Sequence, residues 1–429
     1  MTLSAIRDVH AWEALDSRGK PTVAAVVELA DGARGRAVVP SGASTGGHEA
    51  VERRDGGDRY SGQGVLGAVA SANGELRDRI MGLDATDQQA VDAALESADP
   101  RPDLGTVGAN AVLALSLATL VAAADSTARP LWQQLDDSPE PLIPMPMVNI
   151  VSGGAHARGL LDIQDVLVVP EGATSFAQAI EWVARVRQAT ADLLDERGGS
   201  SALVADEGGL AGSLGSNEAG LALVTDGIAR SGLRPGTDVS LALDLAANQL
   251  WTGERYALRV EQRELTAHDW LGVVAGWCEK FPISSIEDAL FEDDWAGWAS
   301  ASASIGVGRQ LLGDDLFATN DARVERGVAG GVANAVLVKP NQAGSVSRAA
   351  AVVSRAQAAG YGTVVSARSG DTEDTWLADL AIGWRARQIK VGSTMRSERT
   401  AKWNRVLEIE SRAAGRSVFA GREALAGRR

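Results

Sequence analysis

Carboxylates and lysines close a series of short apolar runs in the C-terminal two thirds of this 429-residue chain. Ile283 to Ile286 runs into Glu287-Asp288, and Gln310 to Leu312 runs through Gly313 into Asp314-Asp315. An apolar run stopped by acid and a turn predicts a buried strand with a carboxylate at its C-terminal end. Two such ends admit two uses: oxygen ligands converging on a divalent cation, or Asp caps opening the helices that follow. Further runs end at Asp206-Glu207, Asp244, Lys339, Arg368-Ser369 and Lys390, seven charged ends in all. Gathered at one mouth, they would repel one another or stand unpaired unless they bind something. Asp244, Glu287 and Asp314 form the oxygen-only set that Mg2+ favours. Lys339 and Lys390, close to each other and to a metal, are disfavoured as ammonium, so a lysine there can serve as a base near neutral pH. Arg368 with Ser369 offers a planar fork and a hydroxyl for a phosphate. The implied chemistry is removal of a proton beside a carboxylate, with the enolate charge held by metal.

The elements that must position these groups are legible as alternating runs. Strand candidates lie at 164–169, 202–205, 239–243, 284–286, 310–312, 333–338, 363–365 and 388–389, separated mostly by helix-length stretches. Eight strands alternating with helices predict an α/β barrel, whose active face lies at the strand C-termini. Residues 136–146 hold four of the thirteen prolines and mark the boundary between an N-terminal α+β capping domain, 1–136, and the barrel, 137–429. In the first domain, 23–29 and 34–39 predict hairpin strands around Asp31-Gly32. The Gly-rich stretch 40–50 reads as a mobile lid or a connector, and no Gly-Lys-Ser/Thr follows to make a phosphate loop of the nucleotide-binding kind. Ala111 to Ala124 is apolar but shorter than the ~20 residues that cross a bilayer, and predicts a buried helix.

A net charge of −15 argues against nucleic acid or an anionic membrane as partner. The single Cys278 permits no internal disulfide, and no apolar leader opens the chain, so a soluble cytoplasmic protein is expected. No Gly-x-Gly-x-x-Gly follows a strand with an acid ~20 residues on, so a dinucleotide fold lacks support. The Arg-rich end, 412–429, is expected to be a solvated helix and frayed tail.

Several longer motifs resemble those of the enolases along nearly the whole chain: Leu-Asp-Ser-Arg-Gly-Lys-Pro-Thr-Val at 15–23, Pro-Ser-Gly-Ala-Ser-Thr-Gly at 40–46, Gly-Ala-Asn-Ala-Val-Leu-Ala-Leu-Ser at 108–116, Asp-Glu-Gly-Gly at 206–209, Ser-Ile-Glu-Asp at 285–288 and Gly-Asp-Asp-Leu-Phe-Ala-Thr-Asn at 313–320. The resemblance implies an enolase-type (β/α)8 barrel variant with an antiparallel second strand, preceded by the α+β lid domain. It also implies a homodimer or larger assembly and a small phosphorylated carboxylate of the 2-phosphoglycerate type as substrate. By the same resemblance, Asp244, Glu287 and Asp314 hold a first Mg2+, and Ser41 with the substrate completes a second. Lys339 removes the C2 proton, and Lys390 binds the substrate carboxylate. Arg368 and Ser369 take the phosphate. His156 and Gln164 contact substrate, with His156 on a second mobile loop, and Glu207 and Asp165 stand on the side where the hydroxyl departs.

Two departures fall on that side. Asp165 stands where the enolase pattern has Glu, and Ala367 stands where it has His in Ser-His-Arg-Ser-Gly; Gly159 also replaces the usual Asn. Both wall changes remove volume while the metal, base and phosphate residues are kept. That pattern is expected of a specialised natural-product paralogue accepting a second, larger substrate, a phosphonate or a nucleotide-activated one. An ordinary enolase and a non-catalytic binding protein are the alternatives.

Overall fold

The computed structural model describes residues 2–42 and 46–427, so Ala43 to Thr45 of the Gly-rich stretch lie outside the described residues. The N-terminal part is an antiparallel meander of β1 (Ile6–Leu15), β2 (Pro21–Leu29) and β3 (Arg34–Val38). It packs on α1 (Ala109–Ser126), which is apolar on every face; its most apolar window is 83% buried, marking a core helix. Gly35 is required where β3 crosses α1, because a β-carbon there would overlap the Ala118 carbonyl and the Ala122 amide.

Eight strands close the barrel: β4 (Met145–Ser152), β5 (Asp165–Val169), β6 (Ser240–Asp244), β7 (Ile283–Glu287), β8 (Gln310–Gly313), β9 (Ala335–Val338), β10 (Gly362–Ser366) and β11 (Gln388–Gly392), with Gln388 paired to Met145 at the seam. Only β5 runs antiparallel to its neighbours, pairing Val148 with Val168 on one side and Leu243 with Val166 on the other. Two helices, α2 (Phe176–Glu196) and α3 (Asn217–Arg230), precede β6. One principal helix then follows each strand: α4 (Ala267–Lys280), α5 (Trp295–Ala303), α6 (Asp321–Gly330), α7 (Val346–Ala358), α8 (Trp376–Gly383) and α9 (Ser397–Arg412).

Strand parity places the chemistry. Side chains alternate across a strand, so every second residue points into the barrel. Met145 and Met147, Leu167 and Val169, Ala242, Leu312, Ala335 and Leu337, and Val364 form one buried interior cluster, while their odd neighbours Val148, Val166, Leu243, Leu311, Val336 and Ile389 pack outward under the helices. Continuing the inward series to the open end gives Asn149, Asp165, Asp244, Glu287, Asp314, Lys339 and Lys390, one layer of polar side chains above an apolar plug. Because β5 is reversed, it contributes Asp165 from its start.

Three expectations are corrected. Residues 202–205 form no barrel strand: Val204 makes an isolated bridge to Leu210, and Asp206-Glu207 sit in a loop. The missing strand is β4, hidden because Pro144 and Pro146 read as linker, although Pro146 pairs with Ile389 within the sheet. The C-terminal segment is not frayed over its described length: Val418–Phe419 pairs with Leu142–Ile143, and Ala424 and Leu425 are buried in the barrel floor, where the Gln388 amide donates to the Ala424 carbonyl (3.0 Å). Those small apolar residues close the end of the barrel that carries no chemistry.

Candidate active site

The polar layer is built around two lysines and three acids. The Lys390 ammonium donates to Asp244 Oδ2 (2.8 Å) and to both oxygens of Glu287 (2.8 and 2.7 Å). The Lys339 ammonium pairs with Asp314 Oδ2, whose other oxygen accepts from the Gln342 amide at 2.9 Å. Gln164 donates to Asp244 Oδ2 at 3.1 Å and accepts from Gln249 at 2.6 Å. Burial alone would raise Asp244 and Asp314, but Lys390 and Lys339 beside them bring both carboxyls below the usual range. Glu287 goes the other way: burial, then the charge of Asp244, lifts it well above an ordinary glutamate. The layer thus sets three carboxyl groups against two ammonium groups, with Glu287 the acid that resists ionisation. Such an all-oxygen cluster could hold a hard divalent cation, and among the described residues Asp288, Asp314 and Asp315 bring one carboxylate oxygen each within 4.8 Å of one another.

Asp288 shapes this rim from behind. Its two oxygens accept the backbone N–H groups of Asp314 and Asp315, each at 2.9 Å, so one carboxylate fixes the turn that presents Asp314. Burial and the neighbouring acids raise Asp288 well above its usual range, and Asp315, raised to about 7, lies beside it.

On the opposite wall His156, Asp165 and Glu207 come together. His156 sits in a short 3-10 turn, Gly154–Ala157, in the connection between β4 and β5. Its Nδ1 is 2.9 Å from Asp165 Oδ2, and its Nε2 is 3.8 Å from Glu207 Oε1. Asp165 Oδ1 accepts in turn from Asn149 Nδ2 (2.5 Å) and Ser152 Oγ (2.8 Å). Burial would lower the imidazole, yet Asp165 and Glu207 more than offset it and raise His156 to about 9. Ala367 lines the same cleft next to Ser366, Arg368 and Ser369.

The phosphate pair is present, but Arg368 is engaged by the other domain. Its Nη1 donates to Glu49 Oε2 (2.8 Å) and to Asn341 Oδ1 (3.2 Å). Behind it, the fully buried Arg399 on α9 donates to the carbonyls of Arg368 and Ser369, both at 2.7 Å, and holds the turn. Ser41, the expected ligand of a second ion, is engaged within its own domain: its hydroxyl donates to Glu52 Oε2 (3.1 Å) and accepts from Arg54 Nη2 (2.8 Å).

Sequence reasoning missed Asn149, Ser152, Glu49, Gln342 and Arg399. The first two would have followed from parity once β4 was recognised. Glu49 meets a partner 319 positions away, and nothing local announces it.

Two sequence-family models match the chain, "Enolase, N-terminal domain" over residues 6–135 and "Enolase, C-terminal TIM barrel domain" over residues 140–427. The closed eight-stranded barrel, its preceding α+β part and the polar layer at the strand ends agree with both matches, and the chain belongs to the enolase family.

Proposed function

We propose that the protein is a Mg2+-dependent enolase-family enzyme that removes the C2 proton of a 2-phosphoglycerate-type substrate, and that its leaving-group wall is specialised for a bulkier partner. Carboxyphosphonoenolpyruvate synthase, an enolase relative that joins a phosphonoformate unit to a phosphoglycerate-derived skeleton, is an enzyme of this kind. The observation that carries the reading is an asymmetry. Both lysines and all three acids are in place on one side, whereas Ala367 opens the other and the shortened Asp165 draws His156 to itself.

In this reading Lys339 takes the C2 proton on its Nζ. Lys390 stays protonated between Asp244 and Glu287 and binds the substrate carboxylate. Arg368 and Ser369 orient the phosphate, and the lid segment around Ser41 closes over it and excludes water. Asp244, Glu287 and Asp314 would hold a Mg2+ ion, which when bound would supply positive charge for the enolate, and Ser41 is the residue assigned to a second ion.

The test is proton exchange against product formation. Purified protein with Mg2+ and 2-phosphoglycerate in D2O should exchange the C2 proton, with only slow release of phosphoenolpyruvate. Lys339→Ala should lose the exchange by at least ~100-fold. Rapid phosphoenolpyruvate formation would identify an ordinary enolase, and absent exchange in the wild type would remove the assigned base.

A further inference from the structure

A second group of donor atoms lies outside the cleft and takes no part in the chemistry assigned there. His48 follows the Gly-rich stretch of the N-terminal domain, and Glu292 and Asp293 lie between β7 and α5 on the barrel rim. One donor atom of each lies within 4.8 Å of the others. His48 Nε2 is 3.5 Å from Asp293 Oδ1. Two ligands of one tetrahedral ion with bonds of ~2.1 Å stand about 3.4 Å apart, so this pair already has the spacing of a chelate.

Glu292 is only 8% exposed, yet its carboxylate is not satisfied. Its Oε1 accepts from Gly47 N at 3.4 Å, and its Oε2 is buried with no hydrogen-bond partner. A buried carboxylate oxygen without a donor is costly, and a cation relieves that cost. The side chain is not loosely placed. Glu292 N donates to Asn248 Oδ1 (2.8 Å), and its carbonyl accepts from Arg323 Nη2 (2.7 Å), so the backbone is fixed on both sides. Arg323 Nη1 donates to Asp293 Oδ1 (3.0 Å), which orients that carboxylate and leaves Oδ2 for an ion.

We propose that His48, Glu292 and Asp293 bind a transition-metal dication of the Zn2+ and Co2+ class, which staples the N-terminal domain to the barrel rim. One imidazole nitrogen with carboxylate oxygens suits these ions, whereas Mg2+ prefers an all-oxygen octahedron and fits poorly. The side chains of His48 and Asp293 are 39% and 48% exposed, so the ion enters from solvent and water completes its shell. Ligand type therefore separates this site from the all-oxygen acids at the strand ends. The staple is independent of the enolate reading, since none of its three residues lines the cleft. Its ligands come from both domains and meet only in the folded chain, so the ion stabilises the folded arrangement of the two.

The test uses the full chain in excess Mg2+, titrated with Zn2+ by calorimetry and with Co2+ by visible absorption. Wild type should take up one Zn2+ per chain beyond its Mg2+, with a rise in melting temperature, and Co2+ should show the d–d bands of a mixed nitrogen and oxygen shell. His48→Ala and Glu292→Gln should each weaken Zn2+ binding by at least ~10-fold and remove the rise in melting temperature. The competing nitrogen-bearing cluster among the described residues is His156 with Asp165 and Glu207. Uptake that survives both variants, or that is lost in His156→Asn instead, overturns the assignment. So does a wild type that takes up no ion beyond Mg2+.

Discussion

Lys339 and Lys390 share one cleft but are not interchangeable. Lys390 is clamped by three oxygens from two acids, which holds it far above the usual lysine range, and removing its proton would leave those acids uncompensated. Lys339 was expected to be disfavoured as ammonium. Burial, Arg368 and Lys390 do lower it, but Asp314 and Glu287 raise it above the usual lysine range, so a cation that takes over those acids is what would leave Lys339 free to act. Asp92 shows the opposite case, a buried carboxyl with no ammonium or guanidinium beside it among the described residues. It accepts from Ser347 N (2.8 Å) and Gln88 Nε2 (2.9 Å), and burial raises it above the usual aspartate range. A raised folded pKa means that the folded protein binds the extra proton. The stability contributed by Asp92 is therefore complete below the ordinary carboxyl range and lost as pH rises through the folded value. Asp92→Asn keeps an acceptor for Ser347 and carries no charge. Its melting temperature should exceed that of wild type at pH 8, with the gap closing toward pH 4; a pH-independent gap would show that Asp92 is neutral throughout.

At the scale of elements, residues 47–50 of the lid stretch are tied to the barrel by several contacts, among them Gly47 N to Glu292, His48 to Asp293 and the Gln342 amide to Glu49. Glu49 reaches Arg368, and Ala50 N donates to the Gln342 carbonyl at 2.8 Å. A carboxylate on the guanidinium assigned to phosphate makes the incoming anion compete for it. Glu49→Gln should therefore bind inorganic phosphate roughly tenfold more tightly in a calorimetric titration, about 1.4 kcal/mol. Unchanged or weaker binding would mean that Glu49 orients Arg368 for the anion instead. Elements also mark where sequence reading succeeds. Seven barrel strands, and the charged residues that end six of them, were legible because buried strands leave apolar runs with period-two parity. The first strand was lost to its prolines. The reversed β5 was not visible in periodicity at all, since a strand buried on both faces reads the same in either direction; it came only with the family resemblance. The Asp165 contact with His156 was likewise out of reach, because loop geometry decides which imidazole nitrogen meets which oxygen.

At the scale of the whole molecule, charge works against the assigned substrate. The chain carries a net −15, and the cleft adds Glu49, Glu207, Asp244, Asp288, Asp314 and Asp315 to its lining. A polyanionic substrate approaches through a repulsive field that salt screens over about 10 Å at 0.1 M. At fixed saturating free Mg2+, kcat/KM should accordingly rise between ~10 and ~150 mM monovalent salt. A fall would place a local positive funnel above the global charge. Because β5 is antiparallel, β4 and β5 form a hairpin whose connecting residues, 153–164, carry His156 at one edge of the mouth, apart from the six strand-and-helix units that carry Asp244, Glu287, Asp314 and Lys339. Twelve contiguous residues thus form a replaceable cassette. Their exchange between family members would change that edge of the mouth and leave the strands that carry Asp244, Glu287, Asp314 and Lys339 in place.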